Sequence, residues 1–219
     1  MARSSVSAAV ATLLAALAGI VDALAYLSLG GFFASFMTGN TTKLGVAFVT
    51  GNYADVWTAV ALILAFVCGV MIAAILAARF PARREAMAML AVTVTLALAA
   101  LLAGFTDRRF PLMLLAVAMG AENGVFSRDG KIAIGLTYMT GTLVKFGETL
   151  ADALIGKGTP LGWVPHLVLW LGFGAGVVIG GHEFEQLGTT ALWIAAAAAG
   201  VMTLLVAALI GRSALEKAR

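Results

Sequence analysis

Asp22 stands deep in an otherwise apolar run, and Thr38-Gly39-Asn40-Thr41-Thr42-Lys43 follows it in a setting of Phe, Leu and Val. A charge at the centre of a bilayer costs at least about 2.5–3.5 kcal/mol, so Asp22 is expected to face a bundle interior or water and to have a partner. Two roles fit it: an ion or proton site, and a structural ion pair or helix cap. In the Thr38–Lys43 block, Gly39 lets the backbone break and the hydroxyls satisfy or present the freed groups. Non-helical backbone at membrane depth survives only when it is buried in protein or lines a cavity. A helix starting near Asn40 would aim its positive N-terminal end, with Lys43 one turn on, at a bound anion. The plainer alternative is a polar turn at the membrane surface.

Thr140, Gly141, Thr142 and Lys145 repeat this arrangement, with Leu143 and Val144 in place of two threonines. Glu122, Asn123, Glu148 and Asp152 add polar groups that the earlier stretch largely lacks, and a Lys145 ion pair with Glu148 or Glu122 is the simplest account of them. The second copy is therefore expected to be the more structural of the two. The substrate- or ion-binding set expected from these patterns is Asp22, Thr38, Gly39, Asn40, Thr41, Lys43, Asn123, Thr140, Gly141 and Lys145. His166 and His182 lack a ligand partner at helical spacing, which speaks against zinc. There is no Gly-x-Ser-x-Gly, His-Glu-x-x-His or Gly-Lys-Ser/Thr, so no catalytic residue, metal or cofactor is expected.

The elements that must hold these residues follow from composition. Hydrophobic residues make up 62% and charged residues 11% of the 219 positions, with a mean hydropathy of +1.02; soluble domains carry about 25% charged residues. The expected fold is an all-α, polytopic membrane bundle. A spanning helix needs about 20 apolar residues, and Val6–Leu29, Val56–Ala78, Ala86–Phe105, Phe110–Phe126, Leu161–Gly181 and Leu187–Gly211 qualify. Phe32–Val49 and Ile132–Ile155 are interrupted by polar and glycine residues and read as broken or re-entrant segments, or else as two further spans. Arg3, an apolar stretch and Ala16-Leu17-Ala18 imitate a signal peptide, but the run continues to Leu29, so a retained helix is expected. Trp57, Trp163, Trp170 and Trp193 fit an interfacial belt. Cys68 reads as a small buried hydrophobe. No basic stripe with interleaved aromatics suggests nucleic acid.

Six spans with the N-terminus inside gather Arg3, Arg79, Arg83, Arg84, Arg128, Lys131, Lys145, Lys157, Arg212, Lys217 and Arg219 on the cytoplasmic side, leaving Lys43, Arg108 and Arg109 outside. Eight spans would nearly erase that bias, so six spans with both termini cytoplasmic is the expectation.

The chain also resembles itself. Met37-Thr38-Gly39, Lys43 and Gly45 return as Met139-Thr140-Gly141, Lys145 and Gly147; Gly19 and Asp22 correspond to Gly120 and Asn123; Phe66, Gly69 and Val70 correspond to Phe173, Gly176 and Val177. One membrane domain over 1–219, made of repeats 1–107 and 108–219, is expected. Three spans per half would invert one half relative to the other, a plan common in secondary transporters; four would make the repeat parallel. Gly172, Gly176 and Gly180 share one helix face, as do Gly69, Ala73 and Ala77, and allow close helix approach within the monomer or in a homodimer.

Gly19-x-x-Asp22-Ala23, followed by Gly30-Gly31-Phe32-Phe33-Ala34-Ser35-Phe36-Met37-Thr38-Gly39-Asn40-Thr41-Thr42-x-Leu44-Gly45, resembles the signature of YoaK-type bacterial membrane proteins, a domain-of-unknown-function family sometimes labelled small permeases. The resemblance covers nearly the whole chain and implies a bacterial inner-membrane location without implying a substrate. The leading expectation is a permease or secondary transporter of a small solute, anions included, with its site at the repeat interface. A non-transporting structural or partner-binding membrane protein is the alternative, and an intramembrane enzyme is the least supported.

Overall fold

A computed structural model describes residues 2–28, 30–107, 109–125, 127–128, 131–132 and 138–217, with side chains over 8–28, 30–107, 109–125 and 138–209. Expectations resting on Leu29, Arg108, Phe126 and Arg219, and on the side chains of Arg3, Arg128, Lys131, Arg212 and Lys217, lie outside the described residues.

Among the described residues the regular structure is all helical apart from a two-residue pairing of Ser127–Arg128 with Lys131–Ile132. Its helices are α1 (Ala2–Ser28), α2 (Met37–Val49), α3 (Tyr53–Arg79), α4 (Arg84–Leu102), α5 (Arg109–Glu122), α6 (Met139–Leu154), α7 (Val164–Leu187) and α8 (Ala191–Lys217). Long Ala-, Leu- and Val-rich runs satisfy every backbone group internally, which hydrocarbon demands. Ala8–Ser28, Tyr53–Arg79, Pro81–Leu102 and Val164–Leu209 are helical stretches long and apolar enough to cross a membrane. The last of these divides into α7 and α8 at Gly188, whose φ is 58°.

Within Phe32–Val49 and Ile132–Ile155 the described helices are short, since α2 starts at Met37 and α6 at Met139. Non-helical chain over Gly30–Phe36 precedes α2. Gly30 and Gly31, with φ of 64° and 97°, adopt the left-handed conformation that turns the chain off the end of α1 at no Cβ cost. The Gly31 amide donates to the Tyr26 carbonyl at 2.8 Å, closing that turn.

Close contacts fix the helix directions. Gly172, Gly176 and Gly180 of α7 lie against Thr12, Ala16 and Ile20 of α1 in the same order, so the two helices are parallel. Gly69 of α3 lies against Val117, and Gly124, just beyond α5, lies against Ala73, so α3 and α5 are parallel as well. The Thr93 and Thr203 hydroxyls meet at 2.9 Å across α4 and α8, while Ala100–Phe105 share a small cleft with Thr189–Trp193; α4 and α8 are therefore antiparallel. Short connections make α3–α4 and α7–α8 antiparallel neighbours, and both pairs are in contact. Hence α1, α4 and α7 point one way, and α3, α5 and α8 the other.

Small residues build these seams. A Cβ at Gly19 would fall on the Phe173 carbonyl, one at Gly120 on the Phe66 carbonyl, and one at Gly176 on the Ala16 carbonyl. The backbones approach to glycine distance, as expected where lipid supplies no hydrophobic drive between helices. Gly172, Gly176 and Gly180 of α7 thus lie against α1, and Gly69 and Ala73 of α3 lie against α5 and Gly124. Cys68 is exposed rather than buried.

Candidate functional site

The polar residues singled out in the sequence gather around the Gly30–Phe36 segment. Asp22, 4% exposed, directs its carboxylate at that segment. One oxygen accepts from the Ala34 amide at 2.8 Å and the Ser35 amide at 2.6 Å, and the other from the Ser35 hydroxyl at 2.5 Å. Three donors of the returning chain thus converge on one carboxyl group, and Asp22 pins that chain to α1. It does not neutralise Lys43. That ammonium donates to the Gly30 carbonyl at 3.2 Å and sits 4.4 Å from the centre of the Phe32 ring.

Asn40, fully buried, completes the clamp. Its amide oxygen accepts from the Phe33 N–H at 3.0 Å and its amide nitrogen donates to the Phe33 carbonyl at 2.7 Å. A side-chain amide has one face that reproduces a backbone pairing, and here it satisfies both polar groups of one non-helical residue. Thr41 donates back to the Met37 carbonyl at 2.9 Å. Gly39 permits the Phe36 ring, one turn earlier, to fold over α2, where a Cβ would meet it. The second copy repeats this element, with Tyr138 folded against Gly141. Lys145 forms an exposed ion pair with Glu148 at 2.7 Å, and the Asn123 amide donates to the Met119 carbonyl at 2.9 Å.

Beside the clamp lies a cavity of about 920 Å³. Asp22, Thr38 and Thr140 reach its wall; Asn40, Thr41, Lys43, Asn123 and Lys145 do not. Its lining is mostly aromatic and apolar, and four residues of the first half meet their counterparts of the second there: Phe36 with Tyr138, Met37 with Met139, Thr38 with Thr140, and Phe66 with Phe173. Tyr26 and Phe33 add further rings, their centroids 5.3 Å apart, and Phe36 meets Phe33 edge-on at 5.3 Å. Sequence reasoning passed over these aromatics because an isolated Phe in an apolar run carries no polar signal. The correspondence of Phe66 with Phe173 was the one visible clue. Among the described residues no His, Cys, Asp and Glu gather into a metal-holding group.

A family model described as "Protein of unknown function (DUF1275)" matches residues 10–205. The chain is similar to the UPF0700 transmembrane protein RA0705 of Rhizobium meliloti (strain 1021), 37% identical over 201 residues that cover 92% of this chain and 86% of that protein. It is also similar to the UPF0700 transmembrane protein YoaK of Bacillus subtilis (strain 168), 31% identical over 156 residues, 67% of this chain and 68% of that one. No solved structure matches it.

Proposed function

Because this chain belongs to the DUF1275 family and is a membrane protein, we propose that it is a small-solute permease of the bacterial inner membrane, built from two inverted halves, 1–107 and 108–219, around the aromatic cavity. The observation that carries this reading is the pairing of equivalent residues from both halves on the cavity wall. A site on the axis between inverted repeats is shared by both, and rocking of the halves then opens it to alternate sides.

Helix directions support the inversion. The counterparts α1 and α5, α3 and α7, and α4 and α8 run in opposite senses. Their seams exchange partners as a two-fold axis requires: Gly19 lies against Phe173 and Val177, and Gly120 against Phe66 and Val70. In this reading α1, α3, α4, α5, α7 and α8 cross the membrane. The clamped loops with α2 and α6 are re-entrant, and both termini are cytoplasmic. The glycine-lined seams between halves serve as the moving joints, and no covalent step is required.

The lining favours an uncharged or cationic solute over an anion, since among the described residues Asp22 is its only charged group and Lys43 and Lys145 point elsewhere. The test is a thermal-shift screen of the detergent-solubilised protein against aromatic and amphipathic solutes, repeated on Phe66→Ala and Phe173→Ala. A ligand at about 100 times its Kd stabilises the folded form by about 2.7 kcal/mol. The expected result is a stabilising solute whose effect both substitutions abolish, followed by its uptake into vesicles containing the protein. Stabilisation that survives both substitutions, or binding without uptake, sinks the reading and favours the non-transporting partner protein.

A further inference from the structure

Asp22 is the point at which the clamp and the cavity meet. Its side chain is buried against the turns it holds, yet it reaches the cavity wall together with Ser35. Resting on the permease reading, we propose that the solute is a lipophilic monoamine whose ammonium group donates an N–H to the Asp22 carboxyl group while its apolar body lies on the rings of the wall.

The two oxygens of a carboxylate offer about four acceptor positions. At Asp22, Oδ1 takes the Ala34 and Ser35 amides, and Oδ2 takes the Ser35 hydroxyl alone. One position on Oδ2 therefore stays open. A carboxylate taken out of water must also be paired or neutralised. Among the described residues no Lys, Arg or His lies within ion-pair distance of Asp22. Lys43, the cation of the clamp, is engaged by the Gly30 carbonyl and the Phe32 ring instead. An incoming ammonium brings both missing parts, a fourth donor and a positive charge.

The same turns place rings beside that position. Phe33 and Phe36 flank Ala34 and Ser35 in the chain, and Tyr26 stands one helical turn beyond Asp22 on α1, on the same helix face. Tyr26, Phe33 and Phe36 form a contiguous run, each ring centroid 5.3 Å from the next. All of them line the cavity, and Phe66 and Phe173 extend the wall. Ring faces attract cations, most strongly where water is excluded, and they also shelter hydrocarbon. At about 920 Å³, the cavity falls within the range of about 300–1,000 Å³ that takes drug-sized ligands. A calcium or magnesium ion would need about six oxygen ligands, which this mostly aromatic wall does not gather around Asp22. Asn123, the counterpart of Asp22 in the other half, does not reach the wall. The site thus has one charged pole and suits a solute with one ammonium rather than two.

The experiment uses the full chain in detergent with probes of one shape: phenethylamine, phenethyltrimethylammonium and phenethyl alcohol. The first carries charge and N–H donors, the second charge alone, and the third a neutral donor. Binding is titrated calorimetrically at neutral pH. The expected result is that phenethylamine binds at least about tenfold more tightly than either of the others, the ratio that a hydrogen bond between charged groups supports. Asp22→Asn, which keeps an acceptor for the Ala34 and Ser35 amides, should bring the amine down to the level of the alcohol, and Phe173→Ala should weaken all the probes. Absence of amine binding to the wild type overturns the proposal, as does equal or tighter binding of the trimethyl compound or the alcohol. That comparison needs no variant to fold. An amine preference that survives in folded Asp22→Asn overturns it too. Phosphatidylethanolamine–phosphatidylglycerol vesicles separate the two readings. Amine-selective binding without protein-dependent uptake removes the permease but leaves the amine site. Protein-dependent uptake of neutral aromatic solutes with no preference for the amine removes the amine site but leaves the permease.

Discussion

Asp22 holds a loop whose amides would otherwise be stranded in an apolar interior. Asp22→Ala withdraws the acceptor from the Ala34 and Ser35 N–H groups and from the Ser35 hydroxyl. A buried donor left unsatisfied costs about 1–3 kcal/mol, so thermal unfolding in detergent should show a loss of several kcal/mol. Lys43→Gln, by contrast, gives up one long contact to Gly30 and a ring contact with Phe32 at the exposed edge of the clamp. It is expected to lose under about 1 kcal/mol. If the two variants proved equally unstable, the clamp would depend on Lys43 as much as on Asp22. The importance of Asp22, Asn40 and Lys43 was legible in their chemical types, but their targets were not. Each is aimed at a main-chain group of Gly30–Phe36, and backbone acceptors have no residue signature. The Lys145–Glu148 pair was legible because it is local, one helical turn long.

At the scale of elements, what decides the packing is where no side chain exists. Gly120→Leu would drive a side chain into the Phe66 carbonyl, and overpacking of this kind typically costs about 1–3 kcal/mol, more when main chain must move. Gly45→Ala, on the open face of α2 with nothing near its Cβ, is the matched control. Loss of helix-breaking freedom there should be neutral or should stabilise by up to about 1 kcal/mol. Comparing the unfolding temperatures of the two variants checks both expectations. The helices themselves were readable from the sequence because hydrocarbon demands long apolar runs. The start of α2 was not, since nothing within Phe32–Phe36 itself breaks a helix and it is the side chains of Asp22 and Asn40, from either side in the sequence, that bond its main chain in a non-helical form. The glycine rows were readable as contact faces, but nothing local says whether such a face meets its own chain or another copy.

For the whole molecule, the opposed directions of corresponding helices make two predictions. In a Cys68→Ser background, Thr93→Cys with Thr203→Cys should form a disulfide under mild oxidation, seen as a mobility shift on a non-reducing gel, because their hydroxyls meet at 2.9 Å. Cysteines placed at Tyr53, after α2, and at Lys157, after α6, should label from opposite sides of the membrane with an impermeant maleimide. Labelling of both from one side would mean a parallel repeat. The self-resemblance of the chain is visible on aligning it with itself. The interlocking of the helices is not, because nothing in the sequence states that α1 packs on α7 and α3 on α5.

That interlocking bears on how the protein is made. Because α1 lies along α7, a growing chain must hold α1, with its buried acid and its row of small residues, while everything between the two is still being translated. Each half reaches lipid without the surface that completes it. The interval is therefore a waiting state, in which the small-residue face of α1 stays uncovered until α7 arrives.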